Sequence, residues 1–75
     1  AEVDVLLERD ATFYPLEIKL TLSPGRRDAQ GFSAFRKTYP HLKTAPGLVI
    51  TPGLISGKSL EQISDNDYAL AWNAE

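Results

Sequence analysis

The chain predicts an α/β domain: an antiparallel hairpin, a helix, a parallel strand and a short C-terminal hairpin, in that order. Three patterns carry this expectation. Apolar and polar residues alternate over positions 3–7 and again over 13–22, the period of two that marks half-buried strands. Ala29, Phe32, Phe35 and Tyr39 recur at spacings of three, three and four, which places them on one helical stripe. Leu48-Val49-Ile50 is an unbroken apolar run between Pro46-Gly47 and Pro52-Gly53, as expected of a strand covered on both faces.

Each element follows from its residues. In the first strand Val3, Val5 and Leu7 share a face, and Glu2, Asp4, Leu6 and Glu8 share the other. In the second, Tyr14, Leu16, Ile18, Leu20 and Leu22 form the expected core face, opposite Phe13, Pro15, Glu17, Lys19 and Thr21. Arg9-Asp10-Ala11-Thr12 between them fits only a tight hairpin. Ala11 suits the positive φ of a type I′ turn poorly, a strain that a four-residue loop would ease. Ser23-Pro24 reads as N-cap and first helical residue, and Pro40 stops the helix, giving a helix over 24–38. A strand, helix, strand order favours a right-handed parallel crossover. Residues 51–59 are loop, and 60–63 and 68–72 are short strands joined by Asp65-Asn66-Asp67.

Composition bounds what such a chain can be. Its 75 residues with 43% hydrophobic content make one domain over 1–75, with a stability of about 4–11 kcal/mol by per-residue scaling. The absence of cysteine excludes disulfides, thiolate zinc sites and cysteine nucleophiles, and fits a reducing, cytoplasmic setting. The longest apolar run, 68–72, falls far short of the ~20 residues of a membrane span. The chain opens on Ala1 inside a strand pattern, as expected of a piece of a longer protein. Arg26, Arg27, Arg36, Lys37 and Lys43 face only Asp28 between positions 26 and 43, a basic segment that could meet a polyanion.

Chemistry concentrates on the hairpin. A turn centred on Asp10-Ala11 sets Asp4 opposite Glu17 and Glu2 opposite Lys19. Opposed carboxylates with Cβ atoms ~4.5–5.5 Å apart repel unless a cation sits between them, and Mg²⁺ or Mn²⁺ with oxygen ligands fits that gap. The Ile18 backbone carbonyl is able to serve as a third metal oxygen. Lys19, two residues beyond Glu17, brings a cation beside any anionic substrate held there.

The combination Glu2-Val3-Asp4, a hairpin, Tyr14-Pro15-Leu16-Glu17-Ile18-Lys19, a helix and a buried strand resembles the PD-(D/E)XK nuclease-like core. Within it, the chain looks most like the C-terminal domain of unknown function found on bacterial and archaeal AAA-type ATPases. Phe32 to Tyr39, Pro46 to Pro52 and Tyr68-Ala69-Leu70-Ala71-Trp72 extend the resemblance along nearly the whole chain. It implies a truncated restriction-endonuclease-like core with a three-stranded antiparallel meander, a helix and a parallel strand. It further implies metal ligands at Asp4 and Glu17 and a catalytic lysine at Lys19. Val3 stands where the family has proline.

Other residues carry less. Arg26 and Arg27 at the helix start oppose the helix dipole and are candidate phosphate contacts; Gln30 and Glu2 are candidate accessory residues. His41 reads as an exposed loop residue. No nucleophilic triad, phosphate-binding glycine loop or Walker motif is present, so any ATPase activity belongs to a parent chain. The expected function is Mg²⁺-dependent phosphodiester hydrolysis on nucleic acid by a module attached to an ATPase domain and away from membranes. The alternative is a non-catalytic interaction or structural domain of that parent.

Overall fold

The computed structural model describes residues 3–73. Along the chain lie β1 (Val5–Arg9), β2 (Thr12–Ile18), a 3-10 turn (Arg26–Ala29), α1 (Gln30–Thr38), β3 (Lys43–Thr44), β4 (Leu48–Thr51), β5 (Leu60–Gln62) and β6 (Tyr68–Ala71). The strands form one mixed sheet in the order β1-β2-β4-β6-β5, with β3 beside the start of β2. Strands β2, β4 and β6 run parallel, and β1 and β5 close the two sides antiparallel. The α/β class, the first hairpin, the helix, the parallel strand and the C-terminal hairpin are therefore all present. Among the described residues the antiparallel part at β1 has two strands rather than three, and β3 was not anticipated.

The hairpin pairs in the expected register, from Val5 opposite Leu16 to Arg9 opposite Thr12. Its loop is the two-residue one, with Asp10 at φ 52° and Ala11 at φ 65°, so the chain accepts the strain at Ala11 rather than lengthening the loop. The Ala11 amide donates to the Glu8 carboxylate at 2.6 Å, which anchors the turn. Because an L-residue is strained in the left-handed region, Ala11→Gly should stabilise the domain by about 0.5–1 kcal/mol, a rise in Tm of several degrees by calorimetry.

Proline inside a central strand normally breaks the ladder. Pro15 is tolerated because the neighbouring ladder is interrupted at that level. Phe13 pairs with Thr44 of β3 and Leu16 with Leu48 of β4, and the chain between them turns away.

The second strand ends at Ile18, four residues before the alternation does. The Lys19 amide still reaches the Ile50 carbonyl at 3.0 Å, and then the chain leaves the sheet, its Leu22 carbonyl accepting from the Ile55 amide at 2.8 Å. Strand β4 itself stops at Thr51, ahead of Pro52, so nothing continues for β2 to pair with. Leu20 is consequently 81% exposed.

The helix packs on the side of β2 opposite to that expected. Cross-strand partners share a face, and Glu17, Val49 and Ala69 form one such row. Val49, Ala69 and Ala71 join Ala29, Phe32, Leu54 and Ile63 in the core, and Pro15 and Glu17 lie on that side. Tyr14, Leu16 and Ile18 instead face away from the helix with Val5 and Leu7, and Ile18 is 52% exposed. Small residues make this packing possible: Ala69 and Ala71 are buried in the same core, and Gly47 presents no Cβ to the Phe32 ring.

The helical segment also starts differently. Pro24 is buried but precedes the helix, and Gly25, not Ser23, is the cap. Asp28 closes the turn: its carboxylate accepts from the Gly25 amide at 2.8 Å, and its own amide donates to the Gly25 carbonyl at 2.9 Å. An aspartate bonded to the backbone amide three residues before it favours a tight turn over a regular first helical turn, and α1 begins only at Gln30. It ends at Thr38 as expected.

Candidate functional site

The expected site lies where β1 meets the end of β2. Glu17 is on the helix-covered side, its side chain 13% exposed, and the Lys19 Nζ lies 3.8 Å from Glu17 Oε2. The regular ladder stops at Val5, and the chain bends at Asp4. Instead of standing across from Glu17 as a strand residue, Asp4 turns its Oδ2 onto the Ile18 amide at 3.1 Å. Its carboxylate thus rests against the Glu17–Ile18 peptide. Val3 leaves the alternating stripe at this bend and packs against the core. Glu2, expected opposite Lys19, lies outside the described residues.

Asp4, Glu17, Ile18 and Lys19 are therefore brought together within one hairpin end. The donors are all oxygen: two carboxylates and the Ile18 carbonyl. This is the set that suits Mg²⁺ or Mn²⁺, which bind through one or two carboxylates and keep waters or substrate phosphates on the remaining positions. Among the described residues no group of three or more His, Cys, Asp or Glu gathers in metal-binding geometry, so a softer or fully enclosed site has no donors here.

The remaining candidates sit elsewhere. Arg26 and Gln30 line an open cavity of about 310 Å³ with Ser33, Arg36 and the 64–67 turn. Asp67, which lines it, immediately precedes β6, whereas Lys19 follows the opposite end of β2. The Arg26 guanidinium lies 3.9 Å from Asp65 with both side chains largely in water, a pair worth under ~1 kcal/mol. Arg27 and His41 are exposed. None of these contacts joins the helix start to the acidic hairpin end.

The strongest polar cluster was not anticipated. Asp67 is 1% exposed and accepts four hydrogen bonds at 2.8 Å: from Arg36 Nη1 and Nη2, the Gly47 amide and the Ser64 hydroxyl. Burial pushes its carboxyl up, but these donors and the Arg36 charge outweigh burial and hold it below the usual aspartate value. The same contact raises Arg36 above its ordinary value against its own desolvation. Arg36 and Asp67 are 31 residues apart, and in the sequence one belongs to a basic segment and the other to a turn, so no local signal pairs them. With every lone pair engaged and its charge matched, the cluster ties α1 to β4 and β6 and offers no reactive group.

Among the described residues no helix is long and apolar enough to cross a membrane. Searches of curated proteins and of solved structures found no match. One family model does match, over residues 1–70: "Domain of unknown function (DUF4143)". That match takes in the hairpin, the helix and all the parallel strands almost to their end, and the chain belongs to this DUF4143 family.

Proposed function

We propose that this DUF4143 domain is a nuclease-like module of the PD-(D/E)XK type, carried by a AAA-type ATPase in the cytoplasm, that hydrolyses phosphodiester bonds in nucleic acid. The observation that supports it is the hairpin end, where the Asp4 carboxylate lies on the Glu17–Ile18 peptide and Lys19 Nζ is 3.8 Å from Glu17. Asp4, Glu17 and the Ile18 carbonyl would hold Mg²⁺ or Mn²⁺. A cation bound there supplies Lewis-acid charge at the phosphoryl oxygens. The Lys19 ammonium, kept beside Glu17, stabilises the negative charge that grows on the scissile phosphate and orients the attacking water. Arg26 and Arg27 contribute salt-sensitive phosphate contacts to a longer strand, with Gln30 and Glu2 as accessory residues.

Mg²⁺ or Mn²⁺ at millimolar concentration should raise the melting temperature of the domain, because a ligand of the folded state alone stabilises it by mass action. Asp4→Asn should abolish that rise. Lys19→Ala should retain the metal shift and lower nicking of plasmid or single-stranded DNA at least ~10²-fold. An unchanged melting temperature in the metals would count against the site, and cleavage undiminished in Lys19→Ala would remove the lysine from it.

A second reading, a non-catalytic interaction or structural domain of the parent ATPase, is favoured by the open face of the sheet. Parallel strands are ordinarily covered on both sides, yet Ile18, Leu60 and Trp72 are each more than half exposed. Absence of both the metal shift and cleavage would select this reading.

A further inference from the structure

Ile18 occupies a special place at the hairpin end. Its amide points toward β1, but β1 stops at Val5, so the position that a backbone carbonyl would fill is taken by Asp4 Oδ2 at 3.1 Å. In an antiparallel ladder a residue directs its N–H and its C=O to the same neighbouring strand. The Ile18 carbonyl therefore faces the same edge as its amide. On the next residue the Lys19 amide faces the opposite way, to Ile50 at 3.0 Å, which confirms the alternation.

From this geometry we propose that the Ile18 backbone amide is a positioning group that fixes the Asp4 carboxylate for a divalent cation. The proposal rests on the reading of the hairpin end as a metal site. Oδ2 is held by the amide, and the carbonyl of the same residue stands on the same edge as a further oxygen donor. One peptide unit thus orients one ligand and supplies another. Partners that orient ligating carboxylates in this way commonly set metal affinity by 10–100-fold. The early end of β1 and the bend at Asp4 gain a reason: a β1 extended by two residues, to Val3, would pair its backbone with Ile18 and displace the carboxylate.

Two measurements on the 75-residue chain test this. The first needs no metal. Amide hydrogen exchange at Ile18 should be slow in the native chain, slow in Asp4→Asn, whose side-chain carbonyl still accepts, and at least tenfold faster in Asp4→Ala. Equal exchange in native and Asp4→Ala proteins would overturn the proposal. The second is Mn²⁺ affinity by electron paramagnetic resonance. Ile18→Pro deletes the N–H and keeps the carbonyl, and should bind at least tenfold more weakly. Unchanged affinity in Ile18→Pro, or an equal loss in Ile18→Val, which keeps the N–H, would overturn it. If the native chain binds no Mn²⁺ at all, the metal site itself fails, and the exchange result alone then says whether the amide holds Asp4. Should Ile18→Pro not fold, the Asp4 exchange series still decides.

Discussion

Arg36→Ala should cost the domain about 3–5 kcal/mol at neutral pH, measured by urea denaturation, because it leaves the Asp67 carboxylate buried without its charge partner. For a chain whose whole stability is of the order of 4–11 kcal/mol, that is enough to unfold a large fraction of molecules at 37 °C. The penalty arises from one geometry: a carboxylate 1% exposed whose two oxygens each take an Arg36 nitrogen at 2.8 Å. The native protein should show the complementary pH dependence. Its Asp67 carboxyl is held below the ordinary aspartate value, so its stabilising contribution is complete above the unfolded value of about 3.9 and disappears as pH falls through the lower folded value. In Arg36→Ala the sign reverses: burial without the guanidinium favours the neutral acid, so the deficit should shrink toward pH 4. A loss below ~1 kcal/mol at pH 7, or a deficit that does not change with pH, would show that the pair is effectively solvated.

Gly47→Ala is expected to destabilise by at least about 2 kcal/mol, since a methyl group there meets the Phe32 ring and stands 2.8 Å from Asp67 Oδ1. Overpacking of a filled core typically costs about 1–3 kcal/mol. Here the usual relief is blocked: the Phe32 ring is 1% exposed and has nowhere to swing, while the Gly47 amide is itself one of the four donors to Asp67. The same crowding in Gly47→Val should be worse, and thermal melting of the two variants against Gly25→Ala, where an added Cβ meets nothing within 4 Å, separates close approach from backbone entropy. Equal effects at the two glycines would mean that the Phe32 pocket can relax.

Local patterns were sufficient for most of the elements and for the pairing of the first hairpin. Alternation and the short Arg9–Thr12 connection determined β1, β2 and their register, because a two-residue loop and a period of two leave one pairing. The Glu17 and Lys19 spacing on one strand then follows without tertiary information. The Leu48-Val49-Ile50 run and the 65–67 turn likewise identified β4 and the C-terminal hairpin from chemistry within a few residues of each.

What only the tertiary structure decided is which side of the sheet the helix takes, where β2 ends, and how Asp4 and Asp67 spend their oxygens. Alternation separates two faces but does not name the buried one; the residues that make that choice, Phe32, Ala69 and Ala71 in the core and Gly47 against the Phe32 ring, lie far from β2 in sequence. The stop at Ile18 depends on β4 running out at Thr51, and the Asp4 contact on β1 stopping two residues short of the partner of Ile18. The Arg36–Asp67 pair joins positions whose separation in sequence carries no period or motif. Register and turn geometry are local free-energy choices, whereas face, strand end and buried charge pairing are set by which distant surfaces can be packed together without leaving a polar group unmatched.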